Sequence, residues 1–272
     1  MRAYQRRRRA SSDGSRTLWI VVGIVLILGV GGTWLWLRSR DGGTAGGPGP
    51  ARDTATARAA PAEPSEDLPE LEASDELVQR LAAELSSRPR LAEWLATDQL
   101  VRRFVGAVVR VAAGNTPLEP LDFVELEGRF RVREQDRDTA IAVVDPATFA
   151  RYAPAVATFV SLDTEGSAEL YRRLHPLFVD AYRELGFREP PFDETMALAV
   201  QNLLDVPVPE GPLEVVPAGG TAWAYRDARL EELLPAQKLL LRMGPENARR
   251  VQAKLRELAH ILDLPEPRDG PS

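Results

Sequence analysis

Beyond residue 68, apolar positions recur mostly at helical spacing. Ser74 can cap a helix that carries Leu77, Val78, Leu81 and Leu85 on one face. Pro89 opens a short helical turn with Leu91, Trp94 and Leu95. Thr97 or Asp98 is the expected cap of a longer helix, whose Leu100, Val101, Phe104, Val105, Val108 and Val111 make a stripe wide enough for the core. Gly114 to Pro120 ends that run. Arg129-Phe-Arg-Val-Arg133 then alternates with period two, and Thr139-Ala-Ile-Ala-Val-Val144 is a second strand-like segment, so a hairpin over residues 129–144 is the expected β-structure. Asp145-Pro146 reads as a helix cap and first helical position.

After Asp163/Thr164, the residues Leu170, Tyr171, Leu174, Leu177, Phe178, Ala181, Tyr182 and Leu185 recur at spacings of three and four, and Gly186 stops the helix. Asp193 is expected to start another, with Met196, Leu198, Ala199, Val200, Leu203 and Leu204. Residues 206–220, rich in Pro and Gly, read as loop with at most one short strand. Two last helices meet at Met243-Gly244-Pro245. Ala248, Val251, Leu255, Leu258 and Leu262 give the final helix a face too short for a dependable coiled coil, so it is expected to pack on the domain's own core.

One segment breaks the amphipathic pattern. Residues 17–37 form an uncharged apolar run of 21 residues, which as a helix spans roughly 31 Å, the thickness of a bilayer's hydrocarbon layer. Trp19 at one end and Trp34 and Trp36 at the other suit the two interfaces, with Arg16 and Arg38 bracketing the run. The rival reading, a cleaved signal peptide, has a basic region at Arg6, Arg7, Arg8 and Arg9. The apolar run exceeds the usual ~7–15 residues, however, and no small-x-small cleavage site follows. Arg2, Arg6 to Arg9 and Arg16 outnumber Arg38, Arg40 and Arg52, which orients the N-terminus to the cytoplasm and the rest outside it. Gly29 and Thr33, a small-xxx-small pair, could let two such helices pack as a homodimer; the plainer reading is glycine tolerated in a lipid-facing helix.

Residues 41–67 are rich in Gly, Pro, Ala and Thr and have too little apolar surface to offset ordering entropy; as a flexible tether they reach about 30 Å. The expected organisation is a basic cytoplasmic tail (1–16), a transmembrane helix (17–37) in contact with the lipid bilayer, a flexible linker (38–67), a soluble mainly helical domain (68–264) and a disordered C-terminal tail (265–272). The expected fold class is mainly α (α+β): a single transmembrane helix, a disordered linker and one compact helical domain with a small β-hairpin.

Charge sharpens this division. The net charge is −6, yet residues 1–41 hold eight Arg against Asp13 and Asp41, a local +6 that leaves −12 for the remainder. An acidic domain repels phosphate backbones, so no nucleic-acid partner is expected. With no Cys, disulfides, thiolate nucleophiles and Cys-type metal sites are excluded, and His175 and His260 alone make a His-rich metal site or His-dependent triad improbable.

Several runs together carry a family resemblance. They are Pro235-Ala-Gln-Lys-Leu-Leu-Leu-Arg-Met-Gly-Pro-Glu-Asn-Ala-Arg-Arg-Val-Gln-Ala-Lys-Leu-Arg-Glu-Leu258, Leu100-Val-Arg-Arg-Phe104, Phe149-Ala-Arg-Tyr152, Leu170-Tyr-Arg-Arg-Leu-His-Pro-Leu177 and Tyr182-Arg-Glu-Leu-Gly186. With them the chain resembles DUF3014, a family of uncharacterised bacterial membrane-anchored proteins. The resemblance supports a bacterial inner-membrane address, which with the orientation read from the Arg residues makes the C-terminal domain periplasmic, and it brings no catalytic residue, ligand or partner with it.

Phosphate-cradling loops, dinucleotide fingerprints, nucleophile elbows and His-Glu-x-x-His are all missing from the sequence, and Gly219-Gly220 reads as a turn. Leu174-His175-Pro176 should kink its helix, and His175 with Arg172 and Arg173 could then bind an anion; the plainer reading is a kink around the core with His175 at the surface or bonded to a carbonyl. Around the Gly244 turn, Lys238, Arg242, Glu246, Asn247, Arg249 and Arg250 form a polar cluster. It is either a partner-docking surface or charge matched to two helix ends. Acidic pairs such as Glu231/Glu232, Asp193/Glu194 and Asp180/Glu184 are what an acidic surface requires and do not single out a catalytic site. The expectation is a non-enzymatic adaptor or assembly factor with an envelope protein partner and no cofactor. The alternatives are a periplasmic ligand-binding sensor and, third, a carboxylate-dependent hydrolase.

Overall fold

The computed structural model describes residues 68–122, 124, 129–136 and 140–265. Among these the order is α1 (Asp75–Ala83), α2 (Pro89–Leu95), α3 (Leu100–Ala112), β1 (Val132–Asp136), β2 (Ile141–Val144), α4 (Pro146–Ala150), α5 (Ala153–Val160) and α6 (Thr164–Glu184). There follow α7 (Phe192–Leu204), β3 (Glu214–Pro217), β4 (Trp223–Tyr225), α8 (Ala228–Glu231), α9 (Pro235–Arg242) and α10 (Pro245–Leu262). The domain is mostly helical with a small antiparallel sheet.

Its core is the junction of the apolar stripes. Helix α3 packs on α6 and α7, while α10 packs on α5, α6 and α7. All six apolar positions expected to face inward on α3 are buried. Phe104 meets Phe178 at 4.9 Å between ring centroids and Phe192 at 6.2 Å in an edge contact, geometries that aromatic quadrupoles favour. Helix α5, Ala-Pro-Ala-Val-Ala-Thr-Phe-Val, is apolar on nearly every face, so it offers no amphipathic period and was not anticipated.

Four helix starts follow the expected chemistry: Pro89 and Pro245 are the first residues of α2 and α10, the Asp145 carboxylate accepts from Ala147 N at 2.9 Å, and Asp163 accepts from Gly166 N. Three do not. The Ser74 hydroxyl donates to Leu71 O at 2.8 Å, closing a 3-10 turn rather than capping α1. Neither Thr97 nor Asp98 caps α3; Gln99 adopts a left-handed conformation (φ 61°), and the Asp75 carboxylate of α1 accepts from Gln99 N at 2.6 Å and Leu100 N at 2.9 Å. Helix α7 begins at Phe192, which leaves the Asp193 side chain free to face α6.

The predicted hairpin is half of a larger element. Strands β1 and β2 pair with Val132 opposite Val144, but the sheet has four antiparallel strands in the order β1-β2-β3-β4. Ala142 of β2 sits opposite Val215 of β3, and Val215 opposite Tyr225 of β4. Pro and Gly around β3 masked it in the sequence, while Gly219 (φ 97°) and Gly220 (φ 58°) make the turn to β4. The small β-hairpin of the expected fold is therefore corrected to a four-stranded sheet.

The single transmembrane helix is also corrected. Among the described residues no helix is long and apolar enough to cross a membrane. The longest, α6 with 21 residues, carries Glu165, Glu169, Arg172, Arg173, Asp180, Arg183 and Glu184. Residues 17–37, with Arg16, Trp19, Trp34, Trp36 and Arg38, lie outside the described residues, as do the tail 1–16, the linker 38–67 and residues 266–272. Pro176 does not end α6: its ring is on the exposed side, where water can reach the Arg172 carbonyl that Pro176 cannot bond.

Candidate functional site

The turn between α9 and α10 is built on one glycine. Gly244 has φ 90° and ψ 155°, a conformation open essentially to glycine alone. A Cβ there would lie 2.4 Å from Cγ of Phe149 on α4. The close approach is locked by the buried Asn247, whose Nδ2 donates to Met243 O at 2.9 Å and to Phe149 O at 3.2 Å. Outside this joint lies a groove of about 460 Å³, lined by the apolar Phe149, Ala150, Ala153 and Met243 and by the charged Glu246, Arg249 and Arg250. Arg249 donates to Pro209 O at 2.8 Å, whereas Arg250 makes no hydrogen bond or ion pair among the described residues.

Phe149 also lines a second hollow, a cleft of about 50 Å³ against the sheet. Its aromatic walls are Phe130, Phe149, Trp223 and Tyr225, and its charged groups are Glu231 and Arg242. Burial opposes ionisation of Glu231, but Lys238 Nζ at 2.5 Å and Tyr225 N at 2.8 Å donate to it, and its carboxyl ends below the usual range. The nearby phenols are shielded from water: burial raises Tyr225 well above its usual value and Tyr152 to about 12, with the Arg242 cation pulling both the other way. Arg242 itself makes no hydrogen bond or ion pair among the described residues.

A third grouping joins α6 to α7. The Tyr171 hydroxyl donates to one oxygen of Asp193, and His175 Nε2 lies 3.1 Å from the other. The hydrogen bond to Asp193 raises the His175 pKa against the opposing effect of burial; the same bond lowers that of Asp193. Arg172 donates to Ile261 O at 3.0 Å. His175 is about a third exposed, and a carboxylate holds it in place of a backbone carbonyl.

The polar residues expected around Gly244 are divided by Phe149. Glu246, Asn247 and Arg249 are on the groove side; Arg242 lines the cleft, and Lys238 reaches it only through Glu231. Asn247 is a structural tie rather than a contact surface. The aromatic walls were missed because Phe130 and Phe149 are some 75–95 residues from Trp223 and Tyr225, and they come together only through the pairing of β2 with the short strand β3 and through β4, which was not anticipated.

No curated protein and no solved structure matches this chain. The family DUF3014, proteins of unknown function, matches residues 100–259, more than half of its length and every element from α3 to nearly the end of α10. The match takes in the Gly244 turn, Phe149 and Arg242, and the chain belongs to the DUF3014 family.

Proposed function

We propose that the domain is a non-enzymatic adaptor or assembly module that holds a short apolar and acidic segment of a partner protein in the groove at the Gly244 turn. The observation that carries this is the groove itself: about 460 Å³ of open space with an apolar lining and a rim where Arg249 and Arg250 outnumber Glu246. Exposed apolar surface edged by charge is what a docking site presents, and the basic rim selects an acidic partner. The alternative, a small-molecule sensor, calls for an enclosed pocket of roughly 300–1,000 Å³. The cleft beside the groove encloses about 50 Å³.

The test is a photo-crosslinking amino acid placed at Ala150 in the full chain inside its host cells, with the exposed Glu93 on α2 as the control position. One defined protein should crosslink at position 150 and be lost with Arg250→Glu. Equal backgrounds at both positions would remove the groove from consideration.

A further inference from the structure

The cleft beside the groove has chemistry that the docking reading, on which this inference rests, leaves unused. Of its two charges, Glu231 is committed to Lys238 and to the Tyr225 amide. Arg242 makes no hydrogen bond or ion pair among the described residues, although it is partly buried beside Phe130, Phe149, Trp223 and Tyr225. The Glu231 carboxylate acts on Arg242 through its charge but makes no hydrogen bond to it, so the guanidinium donors gain most from a second carboxylate, which their planar fork can hold through two parallel N–H···O bonds.

We propose that this cleft binds a carboxylate of the docked segment, an Asp or Glu side chain held by Arg242 between the aromatic walls, while an apolar neighbour lies across Phe149 in the groove. Size sets the first part: about 50 Å³ takes the tip of a larger ligand, not a complete one, and the 460 Å³ groove on the other side of Phe149 has room for the rest. Sign sets the second. The chain beyond residue 41 carries −12, so an acidic segment is repelled by most of the surface and attracted where Arg242, Arg249 and Arg250 flank Phe149. Glu231 does not spoil the site, because the Lys238 ammonium 2.5 Å away offsets its charge.

Selection of random short peptides displayed on phage against the full chain tests this. Enriched peptides should pair Asp or Glu with Leu, Ile, Phe or Trp. In fluorescence anisotropy, changing that acid to its amide in the best peptide should weaken binding about ten- to a hundredfold, the strength of a charge-assisted contact. Arg242→Gln should weaken the acidic peptide by the same factor and leave the amide peptide unchanged, with Arg242→Lys in between. Unaltered melting by circular dichroism shows that both variants are folded. Peptides that bind without an acid, or that ignore Arg242→Gln yet are lost with Arg250→Glu, would overturn the carboxylate inference and leave the groove standing. If nothing is enriched, both fall.

Discussion

At the residue scale, Gly244 has the least freedom to change. Its backbone lies in a region that costs other residues on the order of 1–3 kcal/mol, and a methyl group would press into the Phe149 ring at 2.4 Å. With the added strain of overpacking, Gly244→Ala should lower stability by about 2–4 kcal/mol in denaturant titrations. A loss below half a kcal/mol would mean that Phe149 moves freely. Gly-Pro punctuation made this turn legible in the sequence, since only glycine and proline mark their backbone needs so plainly. The His175 and Asp193 pair was not legible: the two are 18 positions apart on different helices, and nothing in the spacing links them. Their titration can be followed. The raised His175 pKa contributes stability below its usual 6.5 that is lost as pH climbs through the folded value; the lowered Asp193 pKa contributes above its usual 3.8 and is lost as pH falls through the folded value. Both contributions are present between those limits. Asp193→Asn keeps an acceptor for Tyr171, so it should cost more stability near pH 5.5 than near pH 8.5, by no more than about 1 kcal/mol at so exposed a site. Equal losses at the two pH values would show that the charge on His175 plays no part.

At the element scale, helix interiors were legible and their ends often were not. The apolar stripes of α3, α6 and α10 place their residues in the core as periodicity requires, except that Leu185, just past the end of α6, is exposed and Leu262 is only half-buried. Several termini are closed by side chains from distant elements, which no local pattern reveals. Asn202 Nδ2 donates to Val111 O and Ala112 O at the end of α3, and Gln252 Nε2 donates to Leu203 O, Leu204 O and Val206 O at the end of α7. The buried Lys254 likewise reaches Leu162 O at 2.6 Å, between α5 and α6. These bonds satisfy backbone groups that would otherwise be buried unpaired, and they fix how the helices abut. The start of α3 is the simplest case to test. Removing the Asp75 carboxylate strands the amides of Gln99 and Leu100, so Asp75→Ala should cost about 1–2 kcal/mol and speed hydrogen exchange at those two amides. Unchanged exchange there would show that water replaces the cap at no cost.

At the scale of the whole molecule, the Phe149 joint ties α4 to the turn between α9 and α10, and the sheet binds distant parts of the chain to each other. Pairing Ala142 with Val215 spans 73 positions, and α4 to α7 fill the interval. The four-stranded sheet was beyond the reach of sequence reasoning for this reason: β2 carries its own signal, but its partner β3 is defined by that pairing more than by its four residues, Glu-Val-Val-Pro. Contacts so far apart come late in folding, because the loop between them must close first. The wall of the Arg242 cleft that holds Trp223 and Tyr225 therefore has no counterpart in a partly made chain. Under the binding proposed for that cleft, a partner that needs both walls would engage only finished copies, and an incomplete copy would present half a lock.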